Sequence, residues 1–477
     1  MSATLAGVAL LGGEPEWLVD IHFDGDRIGA INPAIVKPAR RRLAVPALVN
    51  AHDHARPLSP TSFGAGGKPL ETWLLRLAAM PAADPYLGAL AAFGRAARGG
   101  AGSVMAHYTR FHGPMSPVDE AREVARAAAD VGVRVTFAVF MRDRNPLVYG
   151  AEAALLDALP KDCRATIEAT FCSPMPSVAE QVARVEAIAA AVEGPMFSVQ
   201  FGPSGPQWCS DALLRAVAGA SERTGLRVHM HCLETLYQRA FADREYPEGL
   251  FARLGALGLL SPRLTLAHCV HARADELDAI AAAGALIATN PSSNLHLRSG
   301  IAPIAEAIKR GCRVALGVDA SALDEDDDIL RELRLGAFLH GGWGFEPGVE
   351  RGAWLANIVA HGRLANGAPG DGSLGPGQPA DILVLDLDRL DPDMIMPVAP
   401  IDLLFARANA AHIERVYVAG REVVREGNVV GIDLEAAQAR LREDYRAGMG
   451  GRRAFLDAWA RLEPLAAQHC RGMVGCC

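Results

Sequence analysis

The sequence predicts an α/β protein whose centre is a parallel (β/α)8 TIM barrel. Eight apolar strand-like segments, the first ending at Val49 and the last at Asp319, alternate with amphipathic, alanine-rich stretches such as 178–192 and 210–224. Strands that alternate with helices in this way are typical of a parallel sheet. The competing fold is an open, doubly wound sheet, but no Gly-x-Gly-x-x-Gly follows the first strand, which disfavours a dinucleotide-binding protein.

Both ends of the chain have the pattern of short antiparallel strands. Asp24-Gly25-Asp26 separates two alternating segments near the start, and Ala419-Gly420 separates two more near the end. A turn sequence between half-buried strands is typical of a hairpin. Neither end has enough strands to form a buried sheet alone, so we expect a small β-sandwich built from both. The predicted division is 1–45 plus 365–432 for the sandwich, 46–364 for the barrel and 433–477 for a charged helical tail.

Composition excludes several classes of protein. Half of the residues are hydrophobic and 21% are charged, as in a globular protein. The net charge of −8 gives no electrostatic signature of nucleic-acid or anionic-membrane binding. The first residues lack the basic group of a secretory signal, and no apolar run approaches the length of a membrane span, so we expect a cytoplasmic protein. The nine cysteines show no CxxC spacing, which argues against a disulfide framework or a structural zinc cluster.

Two histidines, His52 and His54, follow the first barrel strand, which is predicted over 43–49. Because side chains alternate along a strand, both imidazoles project to the same side, where they can hold one metal ion. Asp53 projects the other way, and we assign it no catalytic role. Most His-x-His pairs are ordinary surface or core histidines, so the metal prediction depends on how the other strands end.

Three further strands end in residues that suit a metal site. Strand five ends with His229 and His231 and is followed by Glu234, strand six ends at His268, and strand eight ends at Asp319. The carboxyl ends of barrel strands meet on one face, where the chemistry of such barrels is found. Three imidazoles and one carboxylate suit zinc or ferrous iron, with a position left for water.

The sequence resembles the amidohydrolase superfamily over nearly its whole length. The similarity is to the cytosine/guanine deaminase and triazine hydrolase branch, which includes adenosylhomocysteine deaminases. One small departure is Pro46-Ala47, where the family has Pro-Gly. The motifs that carry the resemblance lie at 46–54, 231–235, 266–271, 290–295 followed by 299–304, 317–319 and 373–386.

The resemblance implies a single divalent ion, because strand four (196–204) contains no lysine to bridge a second one. Zinc is the expected metal and iron the alternative. Glu234 would be the proton shuttle, and His268 would hydrogen-bond the attacking water or the oxyanion. His229 would be a packed or supporting residue, and His271 an orienting or surface one. The implied metal ligands are His52, His54, His231 and Asp319, of which Asp319 would also accept a proton from the water.

The predicted activity is hydrolytic deamination of a nitrogen heterocycle such as a purine, pyrimidine, pterin or triazine. Hydrolysis of a chloride or of a cyclic amide on the same scaffold is the nearest alternative. A non-catalytic metal-binding barrel that serves as an assembly protein is the alternative from another class. We expect a small-molecule substrate, no nucleic-acid or membrane partner, and a homodimer by family resemblance. Candidate substrate contacts are Trp73, Arg110, Gln200, Trp208 and Asn294, and the glycine-rich segment 57–70 is either a lid or a connector.

Overall fold

Eight parallel strands form a barrel in the middle of the chain, and a second eight-stranded sheet is built from the chain ends. The computed structural model describes residues 4–11, 17–111, 115–150, 152–319 and 323–474. The strands are β1 (Thr4–Leu10), β2 (Leu18–Asp24), β3 (Arg27–Pro33), β4 (Arg42–Pro46), β5 (Leu48–Asn50), β6 (Ala101–Tyr108), β7 (Arg134–Met141), β8 (Phe197–Pro203), β9 (Val228–Cys232), β10 (Leu264–His268), β11 (Leu286–Thr289), β12 (Arg313–Leu316), β13 (Gly342–Trp343), β14 (Glu346–Pro347), β15 (Ile382–Asp386), β16 (Ile413–Val418), β17 (Arg421–Arg425) and β18 (Asn428–Val429).

Helices follow the barrel strands and continue beyond the barrel. Predicted and observed helices agree closely: the stretch 178–192 is one helix, and Ser177 and Glu180 form a capping box at its start. The α-helices are α1 (Leu70–Arg76), α2 (Pro85–Arg98), α3 (Pro117–Val131), α4 (Glu152–Asp157), α5 (Lys161–Phe171), α6 (Val178–Val192), α7 (Asp211–Thr224), α8 (Leu236–Glu245), α9 (Leu250–Ala256), α10 (Ala274–Ala282), α11 (Pro291–His296), α12 (Ile304–Lys309), α13 (Ile329–His340), α14 (Arg351–Asn366), α15 (Leu387–Leu390), α16 (Pro400–Arg407), α17 (Leu434–Gly448) and α18 (Arg453–Met473).

The barrel contains β5 to β12 in sequence order, each paired in parallel with the next. Hydrogen bonds close it between the first and last strands: Ala51 N donates to Leu316 O at 2.8 Å, and Val318 N donates to His52 O at 3.1 Å. The predicted (β/α)8 fold, with a further sheet from both chain ends, is confirmed. Because β5 and β12 are neighbours, His52 and Asp319 emerge side by side.

The segment predicted as the first barrel strand forms two separate strands in the structure. The apolar run 43–49 is divided between β4, which pairs with β1 and β15 in the terminal sheet, and β5, which pairs with β6 in the barrel. Ala47 N donates to Asp381 O and Leu48 N to Gly100 O, so the chain changes partner between these two residues. Pro46, which has no N–H to donate, is the last residue of β4.

The terminal sheet is continuous, in the order β18-β17-β16-β15-β4-β1-β2-β3. Successive side chains along its strands face opposite sides of the sheet. Leu43 and Leu383 belong to the large core shared with the barrel, whereas Ala44 and Ile382 belong to a separate small apolar core. Period-two alternation therefore gives the sheet one face against the barrel and one face in a core of its own.

The C-terminal helices pack on the barrel of their own chain. Helix α17 contacts α2, and α18 contacts α1, α5 and α8. Lys68 Nζ donates to Glu463 Oε1 at 2.5 Å, and Lys68 and Arg76 both lie over the ring of Trp459. The part of the predicted tail at 475–477 lies outside the described residues. Among the helices of the described ranges, none has both the length and the apolar character to cross a membrane.

Candidate metal centre and active-site cavity

His52, His54 and Asp319 converge where β5 and β12 end. Oδ1 of Asp319 lies 3.3 Å from Nε2 of His52 and 3.0 Å from Nε2 of His54. Nε2 of His231, from the end of β9, lies 3.3 Å from Nε2 of His54. His52, His54 and Asp319 could together hold a metal ion, and His231 belongs to two adjoining groups of possible ligands, one with His52 and His268 and one with His54 and His107.

The Nδ1 atoms of the three imidazoles each have a hydrogen-bond partner in the protein. Nδ1 of His54 donates to the carbonyl oxygen of His107 at 2.9 Å, and Nδ1 of His231 donates to that of Ser204 at 2.8 Å. Nδ1 of His52 lies 2.8 Å from Nε2 of His229. A hydrogen bond at Nδ1 orients the ring and leaves the lone pair of Nε2 for the metal, which is the arrangement that histidine ligands use.

The protonation states of these side chains follow from their burial and from their neighbours. It lowers the pKa of His52 and holds the pKa of His231 well below its ordinary value, so both rings are neutral, as ligands must be. Burial opposes ionisation of Asp319, but His52 and His54 outweigh it and hold the pKa of that carboxyl well below its usual range. Ser293 Oγ also donates to Oδ2 of Asp319 at 2.6 Å. Asp319 is therefore the anionic member of the group.

Asp53, between the two histidines, faces away from this point. Its Oδ2 accepts from Asn50 Nδ2 and its Oδ1 accepts from Ala55 N, both at 2.7 Å. These contacts stabilise the turn that carries His52 and His54 out of the strand.

Glu234 and His268 lie beside the proposed ligands. Oε2 of Glu234 is 3.7 Å from Nε2 of His268, which is 3.9 Å from Oδ2 of Asp319. Burial, together with Asp319 and Glu71, raises the pKa of Glu234 well above its ordinary value. Burial lowers the pKa of His268 to about 4, so this ring is neutral at pH 7. Nδ1 of His268 lies 2.9 Å from Oδ1 of Asn294, which fixes the ring with Nε2 towards Glu234.

The backbone is left-handed where these side chains leave the strands. His268 has a φ of 74°, Asp319 a φ of 57°, and Leu233, just before Glu234, a φ of 49°. Residues other than glycine rarely adopt this conformation, and when they do it is often at functional sites. Here it turns each side chain from the strand direction into the mouth of the barrel.

A cavity of about 950 Å³ opens over the group and reaches the tail helix α18. Trp73, Arg110 and Trp208, expected as substrate contacts, all line it. Gln200 and Asn294 do not: the amide of Gln200 donates to Ala365 O at 2.8 Å, and Asn294 contacts His268. Both are buried behind the cavity wall.

The segment 57–70 lines the cavity only through its end residues, Pro57 and Leu70, and contains a short 3₁₀ helix, Pro60–Phe63. The Thr61 hydroxyl donates to Glu325 Oε1 at 2.8 Å, and the ring of Phe63 lies 5.1 Å from that of Tyr445. His271, expected to be an orienting or surface residue, has its Nε2 2.9 Å from Ser299 O.

Two residues at the site were not predicted from the sequence. His107, at the end of β6, is fully buried; neither ring nitrogen has a hydrogen-bond partner, and it lies with His54 and His231 in a group that could hold a metal. Glu71 of α1 lines the cavity, accepts from Thr235 Oγ1 at 2.5 Å, and has an unpartnered Oε2. A histidine at a strand end was a usable signal for His107, whereas nothing in the local pattern around Glu71 indicates its burial.

A (β/α)8 barrel with imidazoles and a carboxylate at the carboxyl ends of its strands defines the class of metal-site barrels. Residues 43–423 match the model of the amidohydrolase family, so the chain belongs to this family. The resemblance predicted from the sequence is confirmed.

Two relatives and one solved structure illustrate which proteins this chain is similar to. The chain is similar to the 5-methylthioadenosine/S-adenosylhomocysteine deaminase of Nitratidesulfovibrio vulgaris, at 32% identity over 50% of this chain and 54% of the relative, so the match spans about half of that enzyme. The enzyme of the same name from Desulforamulus reducens is 27% identical over 90% of this chain and 92% of its own. The crystal structure of an adenosine deaminase from Xanthomonas campestris with bound zinc superposes with a TM-score of 0.74 at 24% identity, over 90% and 94% of the two chains.

Proposed function

We propose that this chain is a metal-dependent aminohydrolase that removes an amino group from a nitrogen heterocycle and releases ammonia. One observation carries the proposal: the Nε2 atoms of His52 and His54 lie within 3.3 Å of Asp319 Oδ1, at the base of a cavity that also contains Glu234 and His268. The relatives named as adenosine-type deaminases support an aminated purine as the first substrate to test.

The proposed ligands are His52, His54, His231 and Asp319. Neutral imidazoles plus one carboxylate form a donor set that suits zinc, and the zinc in the Xanthomonas adenosine deaminase supports the same choice. Iron is the alternative, and metal analysis of protein purified without chelators distinguishes them. When bound, the ion supplies Lewis acidity and makes water acidic enough to lose a proton near neutral pH.

Glu234 is the proposed proton carrier. Its side chain is buried in the cavity wall, with Oε1 free of hydrogen-bond partners. From this position the carboxyl can give its proton to a ring nitrogen, regain a proton that originates from the attacking water, and give that proton to the leaving amine, as general acid–base catalysis requires. Asp319, which lies on the other side of His268, is placed to accept the proton that the attacking water loses.

His268 is proposed to form a hydrogen bond to the oxygen atom that reacts. In the tautomer that carries the ring hydrogen on Nε2, Nδ1 accepts from Asn290 Nδ2 at 3.2 Å, and Nε2 lies between Glu234 and Asp319. A hydrogen bond from this position to the attacking water, and then to the oxygen on which charge develops, would stabilise the transition state more than the substrate.

A homodimer, expected from the family resemblance, is also part of the proposal. Helices α17 and α18 each pack against the barrel of the same chain. Static light scattering of the purified protein decides between monomer and dimer.

The test of the function is a release assay on metal-loaded protein with adenosine, 5′-methylthioadenosine, guanine, cytosine, pterin and melamine, measuring ammonia. Chlorinated triazines in parallel, with chloride as the readout, test the dechlorinating alternative. Ammonia released from at least one amine, and abolished by Glu234→Gln, supports the proposal. Metal-loaded protein that releases ammonia from none of them overturns it.

A further inference from the structure

The side chain of Arg56 lies in the cavity without an ionic partner. Its Cζ is 4.9 Å from the ring centroid of Trp73, and both residues line the cavity. Its Nε is buried and makes no hydrogen bond, and none of the ion pairs among the described residues includes it. A guanidinium is charged at every physiological pH, and Asp319 and Asp53 favour this charge only from beyond ion-pair distance, so the guanidinium lacks an anionic acceptor next to the proposed metal site.

The main chain at Arg56 is held rigidly. Arg95 Nη2 donates to the carbonyl oxygen of Arg56 at 2.6 Å, Nη1 donates to that of Pro57 at 2.8 Å, and Nε donates to Asp327 Oδ2 at 2.9 Å. The two arginines therefore differ sharply: every arm of Arg95 has an acceptor in the protein. Arg56 is anchored through its backbone and through the face of Trp73, and its N–H groups are left for the cavity.

Arg56 is half-buried; removing even part of an unpaired charge from water is costly, and shielded arginines are normally paired. Stacking on Trp73 compensates part of the cost, since a cation over an aromatic face contributes about 0.5–2 kcal/mol. It provides no hydrogen-bond acceptor. The carboxyl groups of Glu71 and Glu234 line the same cavity but do not pair with Arg56. The missing acceptor is therefore expected from the molecule that occupies the cavity.

We propose that the substrate heterocycle carries a carboxylate, or an equivalent anionic oxygen on the ring, and that Arg56 binds it. Arg56 follows His54 by two residues, so the group it binds must lie close to the reacting ring rather than at the far end of a long substituent. The planar guanidinium binds a carboxylate through two parallel hydrogen bonds, and the face of Trp73 fixes the plane in which they form. The inference rests on the proposed function for the identity of the ring, but its charge preference can be measured without turnover.

The test is binding of deamination products that differ only in the carboxylate: uracil against uracil-5-carboxylate, and lumazine against lumazine-6-carboxylate. Calorimetry on zinc-loaded protein should show at least one carboxylated member bound about tenfold to a hundredfold more tightly than its neutral partner, the range expected for a charge-assisted pair. Arg56→Met should abolish this difference and leave the affinity for the neutral compound unchanged. Arg56→Lys should retain part of it, and Arg126→Met, which removes an exposed arginine on α3, should retain all of it.

Three results overturn the inference: equal affinities within both pairs, no binding of either carboxylate, or an Arg56→Met variant that loses neutral and anionic compounds equally. The last would mean that Arg56 only supports Trp73. If Arg56→Met does not fold, the pair comparison in the wild type and in Arg56→Lys gives the answer. The ammonia assay is therefore repeated with cytosine-5-carboxylate and pterin-6-carboxylate; failure with these and with the neutral amines, together with intact carboxylate selectivity in binding, would overturn the proposed function and not this inference.

Discussion

Nε2 of His229 lies 2.8 Å from Nδ1 of His52, and the planes of the two rings are inclined by only 11°. Both histidines are fully buried, and burial lowers the pKa of each, so neither ring is charged. One ring must then donate the hydrogen that the other accepts. The contact fixes the rotation of His52 and keeps its Nε2 at 3.3 Å from Asp319 Oδ1.

Replacing His229 should therefore weaken metal binding without removing a proposed ligand. His229→Phe keeps a flat ring but loses the hydrogen bond, and losing such a supporting contact typically costs about tenfold to a hundredfold in metal affinity. Competition with a zinc chelator measures the change. The control is His340→Phe, another buried histidine, which lies against Trp354 away from the site. Equal affinity in His229→Phe and wild type would show that His52 needs no support.

The sequence predicted the candidate site residues because strand ends were visible in it, and the family resemblance implied which of them are the ligands. Apolar runs followed by His52, His231, His268 or Asp319 need only alternation and the rule that barrel chemistry collects at one face. The groups that orient these side chains were not visible, since the acceptors of His54 and His231 are the backbone carbonyls of two other strands. Main-chain atoms carry no residue-specific pattern, so this layer of the site exists only in the folded chain.

Two further features could not be predicted because they depend on contacts between distant parts of the chain: the burial of Glu71 and the division of the run 43–49 into two strands. Glu71 is one acidic residue in the first turn of a short helix, where a solvated carboxylate is the ordinary outcome; the docking of α1 against α18 and Thr235 buries it. The run 43–49 is apolar throughout, so no alternation marks where the chain passes from the terminal sheet to the barrel. The partner strands, which come from other parts of the chain, decide it.

Glu234→Gln is predicted to keep the metal and lose most of the turnover. Glutamine has nearly the same shape but cannot carry a proton between the ring nitrogen and the amine, and loss of such a group typically costs about a hundredfold to ten-thousandfold in rate. Metal content by elemental analysis and kcat on the best substrate of the release panel provide the two readouts. Glu186→Gln, on α6 and outside the cavity lining, is the matched control. Unchanged turnover in Glu234→Gln would remove Glu234 from this role.

The packing of α18 on the barrel predicts a stability effect from the tail. Leu462 is fully buried within the large core, whereas Leu465, one turn further along the same helix, is only partly buried. Leu462→Ala should lower the free energy of unfolding by about 2–5 kcal/mol, through lost burial and the cavity that remains. Leu465→Ala should cost less. Urea unfolding followed by tryptophan fluorescence measures both, and equal effects would mean that α18 is not docked through Leu462.

Asp381 gives a pH dependence of stability whose sign follows from its contacts. It is buried, accepts from Arg134 Nε at 3.1 Å, from Arg363 Nη2 at 2.6 Å and from Ala419 N at 2.7 Å, and so joins the terminal sheet to β7 and α14. Burial alone would raise the pKa of this carboxyl, but the two arginines lower it below its ordinary value. A depressed pKa in the folded state means that the ionised form stabilises the fold above about pH 4, the unfolded pKa of aspartate, and that this contribution disappears as the pH falls through the folded pKa.

Asp381→Asn should therefore lower the free energy of unfolding at pH 7 by about 3–5 kcal/mol, because it leaves two buried guanidinium groups without their anion. The difference from wild type should shrink as the pH is lowered from 7 to 3, below the unfolded pKa of aspartate and towards the lower folded pKa of Asp381. Urea unfolding at both ends of this range, with chelator present so that metal binding does not contribute, measures it. Asp388→Asn is the control, because Asp388 also forms an ion pair with an arginine, Arg41, but this pair is partly exposed. Loss of the Asp388–Arg41 pair should lower the free energy of unfolding by about 1 kcal/mol or less. A difference between Asp381→Asn and wild type that stays constant from pH 7 to 3 would show that the ionisation of Asp381 is not what stabilises this junction.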